Sequence, residues 1–385
     1  MKKSLHLELS KYKPTPKSLR GACVWQTKES VDVDLAGLYH HYYLDNHGIE
    51  PPSPDPAHFE YLRFLRPSEE FRFQGDGLGV STSARRCMSS QMGQAFCRWF
   101  MHEHLGIKYF AHIGSLIGAN KSAFHGFAVE RSAFGDTPDY LCSGGLGSVV
   151  VAEAKGRYTP ISFKSKEFES WRQQFTRVRV LDGTGTAVSV KGHIVATRFA
   201  TEYQARVQSK LYAEDPRTEG QEPISQLTAS LLSRQIAASH YADVLLKLDQ
   251  PYMSISLRNL VPIAEEIRIM ATLWEFDFGG QRMMFVGGYH SGAVTKPLVE
   301  LVDNQIVRHR SDPFKLGAHN GTFIGLELSV FKHLVSVCRG ANRLLENAVP
   351  EIRPLVAVYS GLSMLQDGSV IGPLQLFNPY SLATF

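Results

Sequence analysis

The sequence predicts an α/β fold in which a mixed central β-sheet is flanked by helices, with an additional α+β region toward the C-terminus. Residues 84–210 carry the pattern helix, strand, hairpin, helix, strand, which is typical of a mixed sheet covered by helices. Hydrophobic residues make up 43% of the 385-residue chain and charged residues 20%, as in ordinary globular domains, so global disorder is excluded. The length suits one large or two moderate domains.

Residues 1–83 are predicted to be an N-terminal extension of the core. A short helix is expected over 35–43, and the prolines between positions 46 and 58 predict an extended loop. The first residues are basic and contain one acid, Glu8, among six cations: Lys2, Lys3, Lys11, Lys13, Lys17 and Arg20. This segment is either a solvated arm or an arm that contacts phosphates.

The core is predicted to begin with a helix after Ser83, whose apolar side chains recur at helical spacing until Gly106 ends it. A strand is expected over 107–113, and a β-hairpin over 138–156. An amphipathic helix over 165–178 follows, with aromatic side chains three or four residues apart and a serine as its N-cap. Two strands complete the core, over 188–191 and 193–199.

The polar, acidic stretch 213–223 is the predicted linker. Beyond it, residues 224–385 are expected to form the α+β region from two helices and two hairpins. These are a helix over 224–248, a hairpin over 267–287, a helix over 323–346, and a hairpin over 355–371 that turns at Asp367-Gly368.

Composition and motifs exclude several classes of protein. The five cysteines are scattered and form no CxxC pair, so we expect a cytoplasmic protein without a disulfide framework or a cysteine-rich zinc site. We expect neither a signal peptide nor a membrane span, because no apolar run reaches about 18 residues. The net charge of +4 permits nucleic-acid binding without arguing for it. The absence of a GxxxxGK[ST] motif argues against an intrinsic ATPase activity.

The segment from Pro138 to Lys155 carries the candidate site. Its three closely spaced glycines require a chain reversal, and a turn centred on Leu146 sets Asp139 directly opposite Glu153. Opposed carboxylates destabilise a β-ladder, so a bound divalent cation is the simplest reason for their presence. Lys155 lies on the same face of the strand as Glu153, where its ammonium can hold a water molecule beside the carboxylates.

This Pro-Asp pair, glycine turn and hydrophobic strand ending in Glu-Ala-Lys resembles the signature of the PD-(D/E)XK nuclease superfamily, and the helices before and after the hairpin match the family order. The resemblance implies a restriction-endonuclease-like core over 84–212. It implies that Asp139, Glu153 and the carbonyl of Ala154 bind Mg²⁺ or Mn²⁺. Lys155 would assist the attacking water.

The activity implied by this resemblance is that of a metal-dependent deoxyribonuclease, a phosphodiester hydrolase for which DNA is favoured over RNA. The superfamily includes restriction endonucleases and phage-defence effectors. By association, the resemblance therefore implies a role in restriction or phage defence, with a homo-oligomer or a defence-complex partner as open alternatives.

Three further residues are candidate accessories to this site. Members of the family often carry an acid just after a glycine in the first helix, but here Gly93 is followed by Gln94. Gln94 could bind a metal-held water through its amide oxygen, and Glu103, the nearest acid in that helix, could substitute for it. This departure favours a one-metal site and leaves open an inactive relative. Gln174, in the helix after the hairpin, either lies near the metal, as in some members, or belongs to a solvated face.

Two other functions remain open. The same fold could serve as a catalytically inactive binding module or a subunit of a larger assembly. Residues of the C-terminal region could instead carry an enzyme activity of another class. The hairpin itself also has a second interpretation, as a surface element in which Glu153 and Lys155 form an exposed ion pair.

Overall fold

The structure is a computed structural model. It describes residues 2–23, 26–46, 65–118, 126–145, 148–218, 225–278, 280–290, 299–302, 305–308, 322–340, 349–352 and 361–385. The chain forms two compact units, an N-terminal unit drawn from Lys2–Asn46 and Tyr61–His240 and a C-terminal unit drawn from Tyr241–Phe385. Among the described residues, every helix is too short or too polar to span a membrane.

The N-terminal unit alternates strands and helices along the chain. Its elements are β1 (Lys2–Ser10), β2 (Ser30–Asp34), α1 (Leu35–Asn46), α2 (Thr82–Leu105), β3 (Tyr109–His112), α3 (Ile113–Leu116), β4 (Ala128–Arg131), β5 (Tyr140–Gly145), β6 (Ser148–Arg157), α4 (Lys166–Gln174), β7 (Val178–Leu181), β8 (Ala187–Val188), β9 (Lys191–Arg198), β10 (Lys210–Glu214) and the first part of α5 (Gln226–Lys247). Seven strands form one sheet in the order β2-β1-β10-β9-β6-β5-β3, and β4, β7 and β8 form a smaller sheet. The large sheet is mixed, because β1 runs parallel to β10 and β6 parallel to β9, whereas its other neighbours are antiparallel.

Helices cover both faces of the seven-stranded sheet. Helix α2 approaches one face so closely that a β-carbon at Gly93 would lie 2.3 Å from the nitrogen of Gly156 in β6. On the other face, Phe168 of α4 packs into a cluster with Ile194 of β9. Because Ile194 pairs with Glu153 and successive strand residues alternate faces, Glu153 points to the α4 face and Gly156 to the α2 face. The predicted mixed sheet flanked by helices is therefore confirmed.

Helix α2 begins two residues before its predicted start, with Ser81 as its N-cap, whereas the predicted end at Gly106 and the predicted N-cap Ser165 are confirmed. The Ser81 hydroxyl accepts a hydrogen bond from the Ala84 N–H (3.1 Å) at the start of α2. Gly106, with a φ of 69°, ends that helix in the left-handed conformation that glycine adopts without a steric penalty. At the start of α4, the Ser165 hydroxyl accepts from the Phe168 N–H (3.2 Å), as expected of a serine N-cap.

The N-terminal residues belong to the central sheet and are not an extension of it. Alternate side chains of β1 are buried, because β1 lies between β10 and β2 in the sheet. Lys3 is one of these buried side chains, and its ammonium donates to the carbonyls of Arg66 (2.7 Å) and Ser68, so it is not part of a solvated or phosphate-contacting arm. The helix predicted over 35–43 is confirmed as α1. The loop predicted over 46–58 lies outside the described residues from position 47 onward.

The stretch predicted as a linker, 213–223, starts inside the sheet. Its first two residues end β10, and the buried carboxylate of Glu214 pairs with Arg172 Nε (2.8 Å) and Lys11 Nζ (2.9 Å). Its last five residues lie outside the described part of the chain. The helix predicted to follow is α5, whose residues up to His240 belong to the N-terminal unit.

The C-terminal unit is the predicted α+β region. Besides the end of α5 it contains α6 (Pro251–Asn259), β11 (Met270–Phe278), β12 (Gln281–His290), β13 (Val299–Val302), β14 (Gln305–Arg308), β15 (Thr322–Glu327), α7 (Leu328–Cys338), β16 (Ser363–Met364), β17 (Ser369–Pro373) and β18 (Asn378–Thr384). Six strands form an antiparallel sheet in the order β16-β17-β15-β12-β11-β18, and β13 pairs with β14. Its core is aromatic, built around Trp274, Phe285, Phe323 and Phe377.

The helix predicted over 323–346 is wrong in its first part. Thr322–Glu327 forms strand β15, which is buried on both faces between β12 and β17. Helix α7 begins only after Glu327, whose carboxylate accepts the N–H groups of Ser329 (2.7 Å) and Val330 (3.1 Å) as an N-cap. The last six residues of the predicted helix lie outside the described residues.

Both predicted hairpins of this unit are present. The first is β11–β12, although Gly279 of its turn lies outside the described residues. The second turns between β16 and β17 at Asp367-Gly368, where Gly368 has a φ of 85° and the Ser369 N–H donates to Asp367 Oδ1 (2.8 Å). Of its predicted first strand, residues 353–360 lie outside the described part.

Candidate active site

Strands β5 and β6 form the predicted hairpin. Tyr140 pairs with Ala152, a register that, continued by one residue, sets Asp139 opposite Glu153. This is the register that the sequence predicts. The predicted turn centre, Leu146, lies outside the described residues.

The β-ladder ends before Asp139. Two hydrogen bonds to β6 and one to Ile113 hold Asp139 in place. Its N–H donates to the carbonyl of Ala152 (3.1 Å), and its Oδ2 accepts the N–H of Ala154 (2.8 Å). Its own carbonyl accepts the N–H of Ile113 (2.9 Å). Because two of these partners are the residues on either side of Glu153, the Asp139 carboxylate is fixed next to it.

Glu153 lies on β6, an interior strand of the sheet, and is 0% exposed. Lys155 Nζ contacts its Oε1, and apart from this ion pair neither carboxylate oxygen accepts a hydrogen bond from the described residues. Burial and the neighbouring Asp139 raise the pKa of Glu153 well above its usual value, against the opposite effect of Lys155. A buried carboxylate with a single donor beside a second carboxylate is costly, so this position favours a further cation.

Lys155 follows Glu153 by two residues and therefore shares its face of the strand. Its side chain is 30% exposed, and its ammonium contacts the buried Glu153 carboxylate. Burial lowers the pKa of Lys155, but Glu153 and Asp139 raise it by more, so the net shift is upward and Lys155 is a cation at neutral pH. The interpretation of this hairpin as a surface element with an exposed Glu153–Lys155 pair is wrong, because Glu153 is fully buried.

The donor set fits a hard divalent cation that keeps most of its water ligands. Within the described part of the chain, no group of three or more His, Cys, Asp or Glu side chains is arranged to hold a metal ion, so those residues form no zinc-type site. Asp139 and Glu153 provide two carboxylates, and Mg²⁺ is usually bound through one or two carboxylates plus waters. The carbonyl of Ala154 stays a predicted third ligand.

Gln94 and Glu103 of α2 are both candidate accessory residues. Gln94 lies in the part of the helix that packs against β6. It follows Gly93, which contacts Gly156 where α2 crosses β6, and it is partly buried. Glu103 lies nine residues further, about 14 Å along the helix axis at the usual rise per residue. Its carboxylate contacts His102 Nδ1 (3.0 Å). The structure therefore brings the segment of α2 that carries Gln94 against β6, on the sheet face opposite to Glu153, and it does not bring Glu103 there.

Gln174 is the last residue of α4, the helix that covers the same sheet face as Glu153. It is 3% exposed, and its Oε1 has no hydrogen-bond partner among the described residues. The alternative of a solvated face is therefore wrong for Gln174, although it holds for the exposed Gln173.

A buried polar cluster on the opposite face of the hairpin was not predicted. Asp45 of α1 accepts hydrogen bonds from the Tyr140 hydroxyl (2.8 Å) and from Arg98 Nη1 (3.2 Å). It also contacts His112 Nε2 at 3.1 Å. Burial raises the pKa of Asp45, but His112 and Arg98 together lower it by more. The signal that could have found this cluster is a charged residue inside an otherwise apolar helical stretch, which describes both Asp45 and Arg98.

No family model, no curated protein and no solved structure matches the chain in comparisons with all three. Any function must therefore be argued from the geometry of the site and from the resemblance of the hairpin motif.

Proposed function

We propose that the N-terminal unit is a metal-dependent nuclease of the PD-(D/E)XK class, which hydrolyses phosphodiester bonds of DNA in preference to RNA. One observation carries the proposal. The Glu153 carboxylate is fully buried, lies beside Asp139, and among the described residues accepts no hydrogen bond beyond its contact with Lys155. A bound cation is the most direct compensation for such a group.

The architecture supports this proposal. In PD-(D/E)XK enzymes a helix precedes the hairpin and another follows it, and here α2 and α4 occupy these positions on opposite faces of a mixed sheet. A restriction-endonuclease-like core over 84–212 is the fold that this arrangement suggests, extended by β1 and β2 at the far edge of the sheet. Restriction or phage defence is the setting that the class resemblance suggests.

In this proposal, Asp139 and Glu153 hold Mg²⁺ or Mn²⁺. When bound, the cation supplies positive charge to the scissile phosphate and activates a water molecule. The Ala154 N–H keeps the Asp139 carboxylate oriented toward the site. Lys155, which is charged and partly exposed, donates hydrogen bonds to a water or to a phosphate oxygen at the mouth of the site.

The raised pKa of Glu153 adds a condition on metal binding. A carboxylate must be ionised to bind a cation, so cation binding and proton release are coupled at this residue. The affinity for Mn²⁺ should therefore increase with pH until Glu153 is ionised in the free protein.

A second candidate function is a catalytically inactive module that binds nucleic acid or a partner subunit. Two observations favour it. An amide, Gln94, stands where the family often has an acid, and the Lys155 ammonium already contacts Glu153. An internal ion pair of this kind could be purely structural.

A cleavage assay separates the two candidates. The protein is incubated with supercoiled plasmid, linear duplex, single-stranded DNA and RNA, each with Mn²⁺, Mg²⁺ or EDTA. We expect metal-dependent cleavage by the wild type and a loss of at least about 100-fold in Asp139→Asn, Glu153→Gln and Lys155→Met, because each removes a group that acts on the metal or the water. Glu167→Gln is the matched control, since Glu167 is an exposed carboxylate of α4 paired with Arg157 (2.6 Å).

One outcome would contradict the nuclease proposal, and another would contradict the role given to Glu153. Binding of nucleic acid without cleavage under every metal condition would support the inactive module. Cleavage by Glu153→Gln at the wild-type rate would remove Glu153 from the chemistry even if the protein is a nuclease.

A further inference from the structure

The loop between β4 and β5 presents an aromatic side chain entirely to solvent. Phe134 is 99% exposed, more than any other large hydrophobic side chain of the described residues. Its immediate neighbours in the loop are exposed as well, so the ring stands alone and is not the edge of an apolar patch. A single exposed aromatic ring of this kind needs a physical reason, because burying such a ring elsewhere would be favourable.

Three side-chain hydrogen bonds tie this loop to itself and to the segment that carries Thr176 and Arg177. Arg131 donates to the carbonyl of Gly135, and Arg177 donates to the carbonyl of Asp136 (3.0 Å). Ser132 donates through its hydroxyl to the carbonyl of Thr176 (2.7 Å). Phe134 is therefore exposed on a fixed loop, which lowers the entropy cost of using it in binding.

Gly135 contributes to the same fixed geometry. Its φ of 115° lies in the region that favours glycine, and a β-carbon there would come within 2.9 Å of the Arg177 guanidinium. The tip of the loop is thus shaped around Arg177, with Phe134 directly before the glycine.

The loop leads directly into the candidate site. Phe134 precedes Asp139 by five residues, and five residues span at most about 17 Å when fully extended. This span corresponds to a few nucleotides of nucleic acid, so a strand whose phosphate is bound at Asp139 and Glu153 can reach the Phe134 ring. The charges around the loop are mixed, because the exposed Arg179 of β7 pairs with the exposed Glu130 of β4. Arg131 points to the other face of this ladder, and it is the exposed cation that bonds the loop itself, at the carbonyl of Gly135.

We propose that Phe134 is a base-stacking residue, which receives an unpaired nucleobase of a single-stranded segment of the substrate while Arg131 contacts its backbone. The inference rests on the proposed nuclease function and specifies that the site binds single-stranded rather than duplex nucleic acid. Bases of an intact duplex are already stacked on both sides, so an open ring binds single strands or frayed ends. A protein partner fits less well, because protein interfaces are built around contiguous apolar area, whereas Phe134 is flanked by exposed polar residues.

The test compares Phe134 variants in the full chain. Dissociation constants for a fluorescent single-stranded oligonucleotide and for the matching duplex are measured in EDTA, and cleavage of both is measured in Mn²⁺. We expect Phe134→Ala to weaken single-strand binding by roughly 5- to 150-fold, the range for loss of one stacked base, and to change duplex binding much less. Phe134→Trp should retain single-strand affinity, whereas Phe134→Leu, which is apolar without a π-face, should lose most of it.

Controls separate this inference from folding and from the proposed function. The melting temperature of every Phe134 variant should equal that of the wild type, because the side chain is fully exposed. Tyr252→Ala, which removes an exposed aromatic of the C-terminal unit, should leave single-strand affinity unchanged. Equal single-strand affinity of wild type and Phe134→Ala in a protein that cleaves would overturn the stacking role alone. A wild type that binds no nucleic acid would overturn the nuclease function together with it.

Discussion

Two buried carboxylates, Asp45 and Glu153, lie on opposite faces of the same hairpin, and their pKa values are shifted in opposite directions. Asp45 is held by Tyr140, Arg98 and His112, and its pKa is lowered despite a burial that raises it. Glu153 has no hydrogen-bond donor among the described residues beyond its contact with Lys155, and burial together with Asp139 raises its pKa. Both side chains are almost fully buried, so the opposite pKa shifts come from the different hydrogen-bond donors and charges around them.

This difference separates a structural acid from a candidate ligand. The charge of Asp45 is already compensated within the protein, so it fixes α1, α2 and β5 to one another and has little to offer a metal. The charge of Glu153 is compensated only in part, so a cation would gain most of its interaction energy there. The four predictions below test this distinction, from the largest expected effect to the smallest.

The largest effect should come from Asp45→Asn, which leaves Arg98 buried without its anionic partner. Breaking a buried ion pair by removing one partner costs about 3–5 kcal/mol of unfolding free energy. For a unit of this size that corresponds to a melting temperature lower by roughly 6–20 °C. Glu153→Gln, measured in EDTA beside it, should melt at or above the wild-type temperature because it removes a buried charge that faces the like charge of Asp139.

The melting temperatures of these two variants can contradict the distinction between Asp45 and Glu153. If Glu153→Gln lowered the melting temperature of the metal-free protein as much as Asp45→Asn does, Glu153 would be a structural acid stabilised by Lys155. The inactive-module candidate would then be favoured.

The second effect is stabilisation by the cation. A ligand that binds only the folded state at about 100 times its dissociation constant adds about 2.7 kcal/mol. The wild type should then melt roughly 5–10 °C higher in millimolar Mn²⁺ than in EDTA. Asp139→Asn should lose most of this increment, and Glu167→Gln should keep it. A wild-type melting temperature indifferent to both Mn²⁺ and Mg²⁺ is incompatible with a metal site here.

The third effect is a pH dependence carried by Glu153. Its folded-state pKa lies above the unfolded value near 4.5, so its stabilising contribution is complete below that value and is lost as pH rises through the folded pKa. In EDTA, the melting temperature of Glu153→Gln should therefore exceed that of the wild type most at pH 8, and the difference should shrink toward pH 5. Titrating histidines elsewhere affect both proteins equally and cancel in the difference.

Asp45 provides the contrast in the same titration. Its pKa is lowered from 3.8, so its contribution is present above that value and is lost only as pH falls through the folded pKa. The deficit of Asp45→Asn should thus persist at pH 8, where the Glu153→Gln gain is largest. A Glu153→Gln difference that does not vary between pH 5 and 8 would show that Glu153 does not change its protonation state in this range, and would contradict the prediction.

The candidate site could be predicted because its determinants are local. The glycines of the turn place Asp139 and Glu153 at equal distances from it, and the two-residue period of a strand puts Lys155 on the face of Glu153. The partners of Asp45 come from α2, β3 and β5, and no local pattern brings these elements together. That cluster depends on how the sheet and helices pack, so the sequence analysis missed it.

The same limit explains the errors in the fold. The alternating leucines of β1 indicate a strand, but its partner β10 follows about 200 residues later, as in the pairing of Leu7 with Leu211. For Thr322–Glu327 the local pattern itself is ambiguous. A strand buried on both faces shows no alternation of polar and apolar residues, so a short apolar run is equally compatible with a helix.

The smallest effect concerns Gln94, the neutral residue beside the site strand. A hard divalent cation prefers a carboxylate to an amide oxygen, so Gln94→Glu should tighten Mn²⁺ binding. Because α2 covers the sheet face opposite to Glu153, we expect a gain of no more than about five-fold in affinity by isothermal titration, equivalent to about 1 kcal/mol. Gln173→Glu adds the same charge to an exposed position of α4 and should change the affinity little. Equal tightening in both variants would indicate only a general electrostatic effect. An unchanged affinity in Gln94→Glu would place Gln94 outside the metal site, and the site would then consist of the Asp139 and Glu153 carboxylates with whatever backbone and water oxygens complete it.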